Sequence, residues 1–350
     1  MIPTDEALIE EALETNHAEV RSERTLDTYR AHLAHYSQYL ESAKAATIAT
    51  AQRKHVLGFL AHLQVRGGTS PHPFREGCSW CADRGYPDGR EGCGWSPSRV
   101  KSYLAAIRFV YRHMIEEECL PSIDPSRHIA SPKVTVRRQY TPSREEVRKL
   151  LDAPGSPRDR LLAYWAYYAP SRRETFREAR WRDFEGLDTT DAFWNVPNAK
   201  GGKADGFLLH PALRAELRRY RHWQEQEAKR NPRLRAALAD EETAFVLLSS
   251  SGKQLHRSTL TKMIKWRAVR AGVAVVPSTD PDAVDGKSSK MTLHALRRAW
   301  ADHALNDPEN PLPIDVVAEV LSHADVRTTR LHYARTKKRR AHDALRGHRL

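Results

Sequence analysis

The chain has 350 residues, with 57 Lys and Arg against 44 Asp and Glu and a formal net charge of +13. That balance points to a polyanionic partner, nucleic acid ahead of an anionic membrane surface, with a solubility role as the alternative. The length suits two domains rather than one core. No run approaches the ~20 consecutive apolar residues of a membrane span. The first residues lack the pattern of a secretory signal, and four Cys are too few for a disulfide scaffold. The expectation is a folded, cytoplasmic protein working at nucleic acid.

In chain order, apolar residues first recur at helical spacing through Tyr29, Leu33, Tyr36 and Tyr39-Leu40. A second stripe, Val56, Phe59, Leu60 and Leu63, ends at Gly67-Gly68. A third runs through Val100, Tyr103-Leu104, Ile107, Val110-Tyr111 and Met114, opened by the cap and first-turn signal Ser96-Pro97-Ser98. Between the last two lies a Gly-, Pro- and Cys-rich stretch at about 67–96 without helical period, read as an insertion. Residues 131–142 read as an extended basic stretch, because two prolines and β-branched residues disfavour helix. The domain boundary belongs there, with the linker proper at 135–142. Ser143 then caps a new helix.

The second half mixes elements. Strand-like pieces at 192–197 and 206–210 flank Asn198-Ala-Lys-Gly-Gly-Lys-Ala-Asp205, whose paired glycines signal a hairpin. A helix follows Ser258-Thr-Leu, and the polar segment at about 277–290 reads as a flexible loop.

Four motifs stand in one order: Arg172 with Trp181 and Asp183 after it, Lys200 in the hairpin, His294-x-x-Arg297, and His323 followed ten residues later by Tyr333. Each alone is ordinary: such a His-x-x-Arg pair is usually a solvated helix face, and a Tyr near a chain end usually packs. Their joint order behind a basic helical region resembles the tyrosine recombinases of the phage integrase family, from about residue 20 to the C-terminus. The resemblance implies a mainly α protein of two domains. Residues 1–134 would form a helical, SAM-like core-binding bundle carrying the Cys-containing insertion, and 143–350 a mixed α+β catalytic domain with a small antiparallel sheet.

It also implies a six-residue active site for breaking and rejoining DNA. Arg172 and Arg297 would grip the phosphate oxygens in a planar, two-pronged geometry that lysine cannot reproduce. Tyr333 would be the nucleophile and Lys200 the proton donor to the leaving oxygen. His294 would accept the tyrosine proton and His323 would hydrogen-bond a phosphate oxygen. No cofactor is implied for catalysis. The implied partners are double-stranded DNA and three further copies in a homotetramer on paired sites, with no membrane and with accessory proteins unspecified. A DNA-binding regulator without catalysis, or a strand transferase of the topoisomerase or telomere-resolvase kind, are the other readings.

Departures from the family pattern are specific. Thr175 stands where the family usually has Glu, Ser322 where it has Gly before His323, and the spacing to Tyr333 is one longer than usual, with His332 at the nearer position. Lys203 competes with Lys200. Arg99, Lys101, Arg108 and Arg112 on the third helix, and Lys262, Lys265, Arg267 and Arg270 on the later one, are candidate DNA contacts. The basic tail after Tyr333, with Leu345 and Leu350, would either dock on a neighbouring subunit or bind phosphate. A separate arm-binding domain ahead of the first helix is not expected.

Cys78-x-x-Cys81 and Cys93, with eleven residues between Cys81 and Cys93, have structural-zinc character. His72 is nearest in sequence as the fourth ligand, and Cys119 and His113 are the alternatives. Unligated thiols in a loop are the other reading.

Overall fold

The computed structural model describes residues 4–15, 23–44, 46–66, 95–117, 123–134, 139–196, 205–280, 283–322 and 326, apart from the side chains at 43, 65, 66 and 205. The chain divides into two compact units, Met1–Arg137 and Arg138–Leu350.

The first unit has four described helices: α1 (Asp5–Thr15), α2 (Glu23–Lys44), α3 (Arg53–Arg66) and α4 (Pro97–Glu116). The expected stripes become its core. Leu33, Tyr36, Leu40, Val56, Phe59, Leu63, Val100, Ile107 and Val110 are all fully enclosed. Helix α1 was not anticipated: its stripe of Leu8, Ile9, Ala12 and Leu13 is short and set among glutamates, yet all four are buried. Asp5 fastens its start, accepting from Ile48 N at 2.8 Å and Ser37 Oγ at 2.6 Å. Ser96 caps α4 as predicted, and the backbone of Trp95 donates to Leu63 O at 2.7 Å. The end of α3 and the start of α4 are thereby joined at Leu63 and Trp95.

In the second unit Ser143 forms the expected cap, as a full capping box with Glu146, opening α5 (Arg144–Asp152). There follow α6 (Pro157–Tyr168), α7 (Arg173–Glu178) and a three-strand antiparallel sheet in the order β1-β2-β3: β1 (Phe184–Glu185), β2 (Phe193–Val196) and β3 (Asp205–Leu208). Trp194 is paired with Phe207 across the sheet. It is fully buried beside Trp165, with ring centroids 4.8 Å apart. Gly206 stands opposite Asn195, and a Cβ there would overlap the Phe193 ring.

Next come α8 (Pro211–Arg230), α9 (Pro232–Leu238) and α10 (Arg257–Arg270), then β4 (Val275–Pro277), β5 (Lys287–Ser289), α11 (Leu293–Leu305) and α12 (Ile314–Val320). Helices α8 and α11 both pack on α6. Strands β4 and β5 correct the two ends of the expected loop at 277–290, pairing antiparallel with Pro277 opposite Lys287. Within the connection between them, Val284 bridges to Lys287 across Asp285-Gly286, where both residues have positive φ, as in the primed turns of tight hairpins. Among the described residues no helix is long and apolar enough to cross a membrane.

Residues 139–142, expected as linker, are bonded to the second unit. Arg298 donates to Tyr140 O at 2.9 Å and to Gln139 Oε1 at 2.6 Å, and His303 Nε2 lies 3.1 Å from Pro142 O.

Candidate active site

Arg172 lies at the N-cap of α7 in extended conformation, just past the buried Ala169-Pro170 corner. Its side chain is exposed, and Nη2 donates to Ser322 O at 3.2 Å. Arg297 projects from α11 and is only 5% exposed. Its two Nη groups donate to Pro170 O and Leu321 O. A guanidinium removed from water requires such acceptors, because an unpaired buried charge is costly. The two arginines therefore converge on consecutive carbonyls at the end of α12, one residue before His323 along the chain.

The local sequence explains this placement. Thr292 caps α11 by accepting from Ala295 N at 3.0 Å, which fixes the first turn that carries His294. His294 is exposed and three residues from Arg297, on the same side of the helix. Leu321 is fully buried with Val317 and Ala301, anchoring the end of α12 against α11. Ser322 has φ of 46°. That left-handed conformation costs an L-residue about 1–2 kcal/mol and glycine almost nothing, a physical reason for the glycine that the resemblance expects here. Lys200, Lys203, His323, His332, Tyr333 and the tail lie outside the described residues.

Next to Arg172, Arg177 and Arg173 flank Glu174 at 2.8 and 3.4 Å. Burial acts to raise this carboxyl, but the Arg177 hydrogen bond and both positive charges outweigh it and hold it below the ordinary carboxylate value. Trp181 and Asp183 are both buried. The indole donates to Gln224 at 3.1 Å, and Asp183 accepts from Arg180 N at 2.7 Å. For Asp183 burial prevails over that bond and raises the carboxyl.

The candidate DNA contacts divide. Lys262 and Lys265 line a cavity of about 250 Å³ with Arg173, Lys287 and Asp280. Arg267, two residues beyond Lys265 on the same helix, is fully buried and donates to Leu150 O at 2.8 Å, to Leu151 O at 2.9 Å and to Ala153 O. It terminates α5, whose last carbonyls otherwise lack donors. Arg270 meets Asp159 at 3.4 Å. Arg267 is not a DNA contact in this arrangement, which corrects the expectation for it, while Arg270 remains exposed. In the first unit Arg108 is likewise engaged, with Ser131 Oγ at 3.3 Å and Ile129 O. Arg99 stacks over the Trp95 ring at 4.1 Å, while Lys101 and Arg112 are exposed.

His72, Cys78, Cys81, Cys93 and Cys119 lie outside the described residues. Among the described residues no group of three or more His, Cys, Asp or Glu is arranged to hold a metal. His113 is buried, its Nε2 without a hydrogen-bond partner among the described residues.

The family described as "Phage integrase family" matches residues 143–340. Tyrosine recombinase XerD of Vibrio cholerae serotype O1 is 27% identical over 348 residues, covering 97% of this chain and 96% of the relative. Tyrosine recombinase XerD of Oceanobacillus iheyensis is 25% identical over 325 residues, covering 91% and 90%. Among solved structures, XerH site-specific recombinase bound to palindromic difH substrate in a post-cleavage complex gives a TM-score of 0.62 at 16% identity, covering 91% of this chain and 78% of that one. A lambda integrase tetramer bound to a Holliday junction gives 0.58 at 14% identity, covering 92% and 76%. The structural likenesses speak to the fold.

Proposed function

The chain belongs to the phage integrase family and is a tyrosine-type site-specific DNA recombinase, and we propose that it cuts each strand with Tyr333 and holds the broken end as a 3′-phosphotyrosine. The supporting observation is the convergence of Arg172 and Arg297 on the carbonyls of Ser322 and Leu321. The exposed Arg172 guanidinium is placed to donate to the non-bridging oxygens of a phosphodiester, and buried Arg297, with both Nη groups on carbonyls, fixes a second positive charge beside it. Those oxygens gain charge as phosphorus becomes five-coordinate, so fixed donors stabilise that state more than the starting ester.

The remaining roles complete the proton and bond balance. The Tyr333 oxygen bonds to phosphorus as the bond to the 5′ oxygen breaks. His294, on the exposed first turn of α11, takes the tyrosine proton, and Lys200 gives one to the departing 5′ oxygen. His323 donates to a phosphate oxygen. Attack by another strand's 5′ hydroxyl reverses the sequence. The ester conserves the bond energy, so rejoining needs no nucleotide hydrolysis.

The substrate is double-stranded DNA, met by a homotetramer on paired sites in the cytoplasm. Support comes from the +13 charge, from Lys262 and Lys265 beside Arg173, and from the DNA-bound tetramer among the structural neighbours. Phosphate contacts of this kind supply affinity and salt dependence rather than base choice.

Incubation with nicked suicide DNA carrying candidate sites tests the reading. A covalent 3′-linked complex should form, and should vanish in Tyr333→Phe. An adduct that survives in that variant removes Tyr333 as nucleophile, and binding with no adduct in the wild type supports a regulator instead. A structural zinc on Cys78, Cys81, Cys93 and His72 is proposed from their spacing alone. Metal analysis of protein purified without chelator, compared with Cys78→Ser, should show one zinc lost; no zinc in the wild type removes the site.

A further inference from the structure

Helix α11 makes two sets of attachments from neighbouring residues. Arg297 reaches Pro170 and Leu321. Arg298, the next residue, turns the other way. Its Nε and Nη2 donate to Tyr140 O at 3.3 and 2.9 Å, and Nη1 donates to Gln139 Oε1 at 2.6 Å. Further along the helix, buried His303 lies with Nε2 3.1 Å from Pro142 O and Nδ1 2.9 Å from the Tyr167 hydroxyl. A carbonyl can only accept, so Nε2 carries the proton and Nδ1 accepts from the tyrosine. Arg144 closes the arrangement, donating to His303 O at 2.9 Å and Asp307 Oδ2 at 2.8 Å. Glu146 fixes the other side of the segment, accepting from the Tyr140 hydroxyl and from Ser143 N, each at 2.8 Å.

Residues 139–144 are thus mounted on the helix that bears His294 and Arg297, directly after the boundary between the two units at Arg137 and Arg138. A helix transmits displacement along its axis because its hydrogen-bonded turns are stiff, whereas the two or three bonds at each end are the compliant parts. We propose that Arg298 is a positioning residue. It fastens the chain entering the second unit to α11, so that a pull on that chain changes how Arg297 is seated on Pro170 and Leu321 and, with it, the rate of strand cleavage. The proposal rests on the recombinase reading above, and its role is separate from gripping phosphate, because Arg298 is committed to backbone and side-chain oxygens of residues 139 and 140.

Two measurements on Arg298→Ala and Arg298→Lys in the full chain test it. In Arg298→Ala, hydrogen exchange of the amides at 139–146 should rise about ten-fold, and adduct formation on suicide DNA should slow about ten-fold, with DNA affinity within about two-fold of wild type. Arg298→Lys keeps one donor for Tyr140 O and should recover part of both effects. Unchanged exchange in Arg298→Ala overturns the fastening whether or not DNA is cut. Raised exchange with normal adduct formation overturns the transmission to Arg297. A joint fall of DNA affinity, global exchange protection and cleavage, with no recovery in Arg298→Lys, assigns the residue a structural role only. Absence of any adduct from wild type overturns the recombinase reading and the transmission together, while the exchange data still decide the fastening.

Discussion

The two units bury their polar groups in different chemical forms. In the first, the enclosed groups are imidazoles and phenols: His32 stacked on Tyr103 at 3.8 Å, His35 bonded to the Tyr103 hydroxyl at 3.0 Å, and Tyr36 meeting Tyr111 at 3.2 Å. In the second, the enclosed groups include two guanidiniums, Arg267 and Arg297, each spent on backbone carbonyls, along with Gln224, Asp183 and His303. Imidazole changes charge near neutral pH, whereas burial brings Arg267 down only to about 10, leaving it charged across the physiological range. The first core is therefore the more open to titration near neutral pH, with three buried imidazoles, His32, His35 and His113, against His303 alone among the described buried residues of the second.

The largest effect should come from removing bulk where the second unit is most tightly filled. Trp194→Ala takes out a ring in contact with Trp165, Phe184 and Phe207 and should cost about 3–5 kcal/mol, read by urea denaturation. A loss under about 1 kcal/mol would show that this core is less rigid than its geometry implies. Next is Arg267→Met, which keeps length but leaves the Leu150, Leu151 and Ala153 carbonyls without donors. It should cost about 3 kcal/mol while leaving the salt dependence of DNA binding unchanged. A lowered salt slope would return Arg267 to the DNA contacts.

A graded loss should follow acidification of the first unit. Burial, helped by the Arg99 charge, lowers His32 from its ordinary 6.5 to about 4, and burial also lowers His35. The unfolded chain then binds more protons than the folded one across that interval. Stability is fully present above pH 6.5 and declines as pH falls through the interval toward 4. Hydrogen exchange at pH 7 and pH 5 should show first-unit amides losing protection before those around Arg267, and His32→Gln should flatten the change. The reverse order would break the comparison. The smallest effect is Ser322→Gly, which removes the left-handed penalty and should stabilise by about 1 kcal/mol at most with cleavage retained. Destabilisation would mean that the serine side chain contributes more than its backbone costs.

These contrasts also mark what the sequence could carry. Long apolar stripes and the Ser96 and Ser143 caps were readable because their signals are local and repeat along one face. Helix α1 was not, since four apolar residues among glutamates make a weak stripe until α2 and α4 cover it. The β4-β5 pairing was hidden by polar composition and by the long connection between the strands, whose Asp285-Gly286 turn joins only Val284 to Lys287. In the site, motif order singled out Arg172 and Arg297, but their meeting point is made of the Pro170, Leu321 and Ser322 carbonyls, and backbone acceptors leave no trace in a sequence. Arg267 misled for the opposite reason. A cation on a basic helix looks the same whether it faces a phosphate or the end of another helix, and only the packing of α10 against α5 distinguishes them.

The bond from Trp95 N to Leu63 O has a consequence for how this protein changes over generations. Leu63 and Trp95 are two fixed, neighbouring points on a helical core, and the entropy of closing a chain between fixed points rises only slowly with its length. Chain added or removed between them should therefore cost little, so that selection can act on length there at little expense to the bundle.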